Sequence, residues 1–519
     1  MKGRVWPATI PALRSVVTVF LLTFFLVGCM VGPDFVRPQA DAPTKWTPAL
    51  SRPVPTREWA SAVSDKPIEV AAWWTTFQDP LLSSLIERAV AANFDVREAT
   101  LRVTEARALR DIVASQHWPS LSANGAYARQ RISGETATGS FLNKVPGLPN
   151  PADQFQYGFD ASWEIDLFGR VRRSVEAADA ETQASVEDRS DVLVTLFGEV
   201  ARNYIELRSA QLRQAITTEN LRSQREVLDF TRDRQRSGIG HDLDVSNAAA
   251  QVATTEAQLP TLENQITQSI NALSLLLARE PGALRDELQL TQPVPPVPPE
   301  VPIGLPADII RRRADIRGAE ARLHAVSARV GVAVADLFPR LTLDAQVGFQ
   351  ALRFPNLTNW ASRFVSVGPN LDLPILDGGR RQATLRLEGV REQEAAIDYA
   401  RTVLAALHEV ENALIAYSTE QTRRASFEVA VAQNRDALTL SRARYASGIT
   451  NFLDVLDAER NLQQTELALA DSTATVSINL VALYKALGGG WEAHVVTSAA
   501  RPITKVRNMR HHARWSKKA

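Results

Sequence analysis

One passage occurs twice in this chain, and a chain made of two like halves is confined to folds with an internal pseudo-axis. The run from Leu228 to Gly238 is answered by Leu438 to Gly448, and Leu243-Asp244-Val245 by Leu453-Asp454-Val455, all at an offset of 210. Upstream, Asp95, Arg97 and Pro119 are matched by Asp315, Arg317 and Pro339 at an offset of 220. A unit of over 200 residues is too long for a solenoid repeat and reads as a duplicated half-molecule. Pseudo-symmetry around an axis is how pores are built.

Each half contains two stretches with a period of two. Phe155 to Leu167 alternates apolar and polar without a break, as do Leu341 to Gln350 and Val365 to Leu373, while about Leu121 to Arg131 alternates weakly. Runs of about ten residues match the length a tilted strand needs to cross a bilayer. A soluble sheet with one wet face produces the same alternation. The membrane reading is favoured by the acidic residues Asp160, Glu164, Asp166, Asp344 and Asp372 on the polar side. Tyr157, Phe159, Trp163, Phe349, Trp360 and Phe364, on or beside the strands, favour it as a lipid-facing girdle. Four strands cannot close a membrane barrel, and an open edge in lipid leaves backbone groups unpaired at several kcal/mol each. The chain is therefore expected to oligomerise; a dimer supplies eight strands and a trimer twelve.

After each strand pair the helical period returns. No proline interrupts Gly169–Ser237 or Gly379–Ser447, and Val194, Phe197, Val200, Tyr204 and Leu207 repeat in the steps of three and four of a coiled-coil seam. So do Leu404, Leu407, Val410, Leu414 and Tyr417. About 69 residues at ~1.5 Å each make a rod near 100 Å long, which must project from a hydrocarbon layer of ~30 Å. Gly238 and Gly448 are the expected helix-tip turns, with return helices over about 243–278 and 453–487. Upstream of the first strand, one helix is expected over Trp73–Asn93 and another over Val96–Gln116.

The ends are distinct. Lys2, Arg4 and Arg14 precede an apolar run from Val16 to Val27, too short to span a bilayer, which closes on Leu26-Val27-Gly28-Cys29. That ending resembles a bacterial lipobox, making Cys29 the expected lipid attachment and residues 1–28 a signal peptide. Met30 stands where an aspartate would hold a lipoprotein at the inner membrane, so delivery to the outer membrane is expected. Cys29 is the sole cysteine, so no disulfide forms within the chain. The division expected is 29–72 an extended segment, 73–291 the first repeat, 292–305 a Pro-rich linker, 306–490 the second repeat and 491–519 a disordered basic tail. Residues 29–500 hold 48 Lys and Arg against 58 Asp and Glu, a net charge of −10. That excess argues against nucleic acid and suits a hydrated conduit that tolerates cations.

Cys29-Met30-Val31-Gly32-Pro33-Asp34-Phe35, the tip Tyr445-Ala446-Ser447-Gly448 through Leu453-Asp454-Val455-Leu456-Asp457-Ala458, and the ending Ala486-Leu487-Gly488-Gly489-Gly490-Trp491 together resemble the outer-membrane efflux lipoproteins of the TolC/OprM type. These are the outer membrane factors of resistance-nodulation-division pumps. The resemblance implies a mainly α fold with a transmembrane β part. It also implies a homotrimer with a 12-stranded barrel over a 12-helix periplasmic tunnel, a periplasmic adaptor and an inner-membrane pump. It further implies that acidic residues at the tips ring a periplasmic gate, here Asp454 and Asp457, with Asp244 from the first half. Three copies of each around an axis would repel one another and attract cations. All three also read as helix-start carboxylates favoured by the dipole. Some relatives carry an arginine two residues after the tip glycine; Thr450 stands there, so packing of Tyr445, Phe452 and Leu453 is expected to hold the gate.

No catalytic signature is legible. His408-Glu409-Val410-Glu411-Asn412 lacks the second histidine of a zinc-binding helix, Gly378-Gly379 and Gly488-Gly489-Gly490 lack a phosphate loop's partners, and His511-His512 lie in the tail. The reading is a passive duct for drugs or other small molecules, with no enzyme activity, metal or cofactor beyond the lipid on Cys29. Its rivals are a channel for protein secretion and a non-conducting coiled-coil structural lipoprotein.

Overall fold

The computed structural model describes residues 30–39, 43, 46, 62–64, 66, 71–145 and 150–494. Cys29, the signal segment and the tail beyond residue 494 lie outside the described residues. The elements are β1 (Ala62–Ser64), α1 (Pro80–Ala92), α2 (Phe94–Ala114), β2 (Ser120–Gln130), α3 (Ala137–Lys144), β3 (Ala152–Ile165), α4 (Arg170–Arg236), α5 (Asp242–Glu256) and α6 (Leu259–Leu276). The chain continues with α7 (Arg285–Leu288), β4 (Glu300–Pro302), α8 (Pro306–Arg312), α9 (Ala314–Ala335), β5 (Arg340–Ala351), β6 (Arg363–Asp372), α10 (Arg380–Ala446) and α11 (Phe452–Ala486).

Four strands form one antiparallel sheet in the order β2-β3-β5-β6. Its register sorts side chains by chemistry. Ala123, Phe159, Val347 and Val365 lie in one cross-strand row, and Leu121, Ala161, Ala345 and Val367 in the next. The opposite face carries Ser122, Asp160, Gln346 and Ser366 in one row and Ser120, Ser162, Asp344 and Gly368 in another. Val347, Val365, Val367 and Leu371 are exposed on the apolar face, so nothing among the described residues covers it. Such a face in water is a large uncovered patch of the kind that marks a membrane or protein contact. Two of the expected assignments change. Phe364 pairs with Gly348 and lies on the polar face, because parity from Val365 leaves it no other side. Asp166 falls one residue past β3, where its carboxylate accepts from the Arg172 backbone N–H at 2.9 Å and so tethers the start of α4.

α4 and α10 are each 67 residues long and correspond residue for residue at the offset of 210. At ~1.5 Å per residue each is about 100 Å. Both start after a glycine at φ +84, Gly169 and Gly379. The return helices differ. α11 is continuous over 35 residues, whereas the first-half return breaks between Glu256 and Leu259. Pro260 is the cause: it offers no N–H and its ring meets the carbonyl four residues back, while its counterpart at 210 further on is Ala470.

The expected helix over 73–93 is likewise two elements. Trp73–Phe77 form a 3₁₀ turn, Gln78 is left-handed at φ 52, and α1 starts at Pro80 with Asp79 accepting from the Leu81 and Leu82 N–H groups at 2.9 and 3.0 Å. A proline at the first helical position and an aspartate cap fix that start. The main core lies midway along α4, where Trp73, Phe77, Leu85, Phe197, Tyr204 and Leu480 are buried together. Trp491–His494, expected in the tail, form a 3₁₀ turn of the folded body, with the Arg317 guanidinium 4.9 Å from the Trp491 ring.

Candidate functional site

The far ends of α4 and α10 place the tip residues. Each helix closes through the same pair of bonds: Gly238 N–H to Gln235 O and Ile239 N–H to Arg234 O, then Gly448 N–H to Tyr445 O and Ile449 N–H to Arg444 O, all 2.9–3.0 Å. Gly238 and Gly448 take φ +76 and +70, the left-handed residue this closure requires. The chain reverses within a few residues, and α5 and α11 return alongside.

Between the two tips lies a second apolar cluster of Leu228, Val431, Leu438, Tyr445, Phe452 and Val455. The Tyr445 and Phe452 rings are 5.6 Å apart and almost wholly buried. Leu453, expected beside them, is 53% exposed. It follows Phe452 by one position, about 100° round the helix, and faces away from the cluster. Asp454 and Asp457 are exposed, three apart on one face of α11, and Asn451 caps the helix by accepting from the Asp454 N–H at 3.2 Å. Asp244 is half-buried near Tyr445. Burial and then the Asp244 charge raise the Tyr445 phenol above its ordinary pKa, against the pull of Arg234. Among the described residues, no three His, Cys, Asp or Glu side chains converge as metal ligands.

Arg234 is the residue that sequence reasoning missed. Its Nη1 donates to the Tyr445 carbonyl at 3.0 Å and its guanidinium lies 4.7 Å from the Tyr445 ring, so a cation of the first half grips the tip of the second. The 210 offset pairs it with Arg444, which is exposed, and sequence alone does not tell which of two equivalent arginines turns inward. Thr450 forms no such tie: its hydroxyl is buried without a hydrogen-bond partner in the single chain. Further back, Arg442 donates to Glu459 at 2.7 Å and to Ser223 at 2.6 Å. Burial raises the Glu459 carboxyl above the ordinary range, and Arg442 offsets part of that shift.

A four-stranded sheet apolar on one side, polar on the other and continuous with two rods of about 100 Å defines a class: subunits of a membrane channel that extends well beyond the bilayer. The chain matches the family described as outer membrane efflux protein over residues 85–279 and 305–489. It is similar to Nodulation protein T of Rhizobium leguminosarum bv. viciae, 32% identical over 492 residues, 93% of this chain and 95% of the relative. It is 31% identical to Outer membrane protein OprJ of Pseudomonas aeruginosa over 484 residues, 92% and 96% of the two chains. The outer-membrane channel OprN superposes with a TM-score of 0.81 at 35% identity, covering 89% of this chain and 100% of that one. The chain belongs to the outer membrane efflux protein family. It is an efflux channel of the outer membrane whose helical part extends into the periplasm.

Proposed function

We propose that three copies close one channel, held to the outer membrane by lipid on Cys29, that accepts drugs or other small molecules from an inner-membrane pump of the resistance-nodulation-division type through a periplasmic adaptor. The observation that carries this reading is the sheet with two unpaired edges. Three sign changes across β2-β3-β5-β6 leave β2 antiparallel to β6, so β6 of one copy can take β2 of the next and keep the alternation unbroken round a ring. Three copies give twelve strands and put the apolar rows outward against lipid.

In this reading the duct is passive, and the adaptor's helical hairpins splay the tips. Asp454 and Asp457, and Asp244 with them, gather round the axis as a cation-attracting constriction. The full chain in planar bilayers is expected to give discrete, cation-preferring conductance. The double variant Asp454→Ala/Asp457→Ala is expected to change the conductance and reduce the preference for cations. A silent film, or an unchanged double variant, would count against the duct or the gate respectively.

A further inference from the structure

The apolar face of the sheet carries charge at one end only. Leu121, Trp163, Leu343 and Leu371 mark that face near the helices, and the strand residues that share it there are all uncharged. At the opposite end the same face carries Arg129, which stands across from Asp153, and Arg363, which stands across from Phe349. Eight residues separate Arg129 from Leu121 and Arg363 from Leu371, about 26 Å of strand and ~20 Å along the normal at a tilt of ~40°. Both arginines therefore stand at the outer border of the apolar band.

The loops at this end add Arg131, Lys144 and Arg353, all exposed. Residues 129–153 and 351–363 together hold five basic side chains against two acidic ones, Glu135 and Asp153, in a body whose balance is acidic. Beneath the arginines lies a shelf of rings. Tyr127 is 4.9 Å from Phe155, Phe155 is 5.6 Å from Phe354, and Tyr157 is 5.3 Å from Phe349. Aromatic belts of this kind sit at headgroup level. Arg363 is fixed beside the shelf: its Nη1 donates to the Trp360 carbonyl at 2.8 Å and its guanidinium lies 4.5 Å from the Trp360 ring. Arginine facing hydrocarbon is costly, but at the border its guanidinium reaches the headgroups.

The helical part extends into the periplasm, so this end faces the cell exterior, where the outer leaflet displays a phosphorylated glycolipid. We infer that the outer rim is a headgroup site, in which Arg129, Arg131, Arg353 and Arg363 hold the phosphates of that glycolipid while its acyl chains lie against the rings below. A planar guanidinium matches a phosphate through two parallel N–H bonds. Charge complementarity and continuity with the apolar rows select this occupant. The inference rests on the outward orientation of the apolar face that ring closure gives, and it adds which lipid lies against that face.

The test titrates the full chain, purified in a non-ionic detergent, with bisphosphorylated lipid A and reads the bound fraction by native mass spectrometry. Arg129→Gln/Arg131→Gln/Arg353→Gln/Arg363→Gln is expected to bind roughly ten times more weakly. The loop pair Arg131→Gln/Arg353→Gln leaves the strands untouched and is expected to bind roughly three times more weakly. Arg232→Gln/Arg236→Gln removes two exposed charges at the far tip and is expected to bind as the unaltered chain does. Equal binding of dephosphorylated lipid A, or equal binding of lipid A by all these variants, overturns the headgroup site. Inorganic phosphate that displaces lipid A at equal concentration assigns the site to a free anion and overturns the lipid. These outcomes leave ring closure standing where the measured mass is that of a trimer. Monomers overturn closure and, with it, the orientation on which the site rests.

Discussion

At the two tips, Gly238 and Gly448 sit at positive φ with nothing within 4 Å of where a Cβ would stand, so the backbone angle alone demands glycine there. Alanine at either position should cost about 1 kcal/mol, with asparagine milder because it visits the left-handed region more readily. Faster amide exchange over residues 444–449 in Gly448→Ala is the readout. Glu459 gives a pH signature. Its carboxyl is raised in the folded chain, so protonation favours the folded tip. Stability attributable to this group is fully present below the ordinary carboxylate pKa and is lost as pH rises through the raised value. Amide protection factors in the hairpin of α10 and α11, corrected for the intrinsic pH dependence of exchange, should therefore be higher at mildly acidic pH than at neutral pH. Glu459→Gln should flatten that dependence; an unchanged profile would mean another group sets it.

Pro260 shows how elements record differences between the halves. Pro260→Ala should join α5 to α6 as Ala470 permits in α11, with slower exchange at the amides of 256–260. The long elements were legible in the sequence because their signals are repeated many times: an unbroken period of two gave the strands to within a few residues, and proline-free runs gave α4 and α10 almost residue for residue. Breaks escaped notice where one residue decides them, as at Pro260 and at Gln78. Phe364 goes the other way: its aromatic character suggests the lipid side, whereas the parity of its neighbours dictates the polar one. Arg234 was hidden by the repeat itself, because two equivalent arginines differ only in what each tip packs against.

For the molecule as a whole, the polar face of the sheet sets what the lumen prefers. Asn124 donates to Asp160, and Ser162 donates to Asp344 at 2.7 Å, so these carboxylates are held in place on the wet side. Asp160→Asn/Asp344→Asn should lower the reversal potential in a KCl gradient toward zero, since the acidic lining that concentrates cations would be thinned. The strand-to-helix turns mark the inner boundary of that sheet, where Phe168 and Phe338 stack at 4.8 Å. There the Val31 N–H donates to the Phe168 carbonyl at 3.2 Å, and the buried Arg173 holds Asp34 at 2.7 Å. A Cβ at Gly169 would fall 2.7 Å from the Met30 Cγ, so the start of the strap lies hard against the turn. Pinned at Met30, Val31 and Asp34, the N-terminal strap keeps station with that aromatic pair, so in the proposed anchored channel it works as a draught mark, setting how far the whole pipe rides into the bilayer.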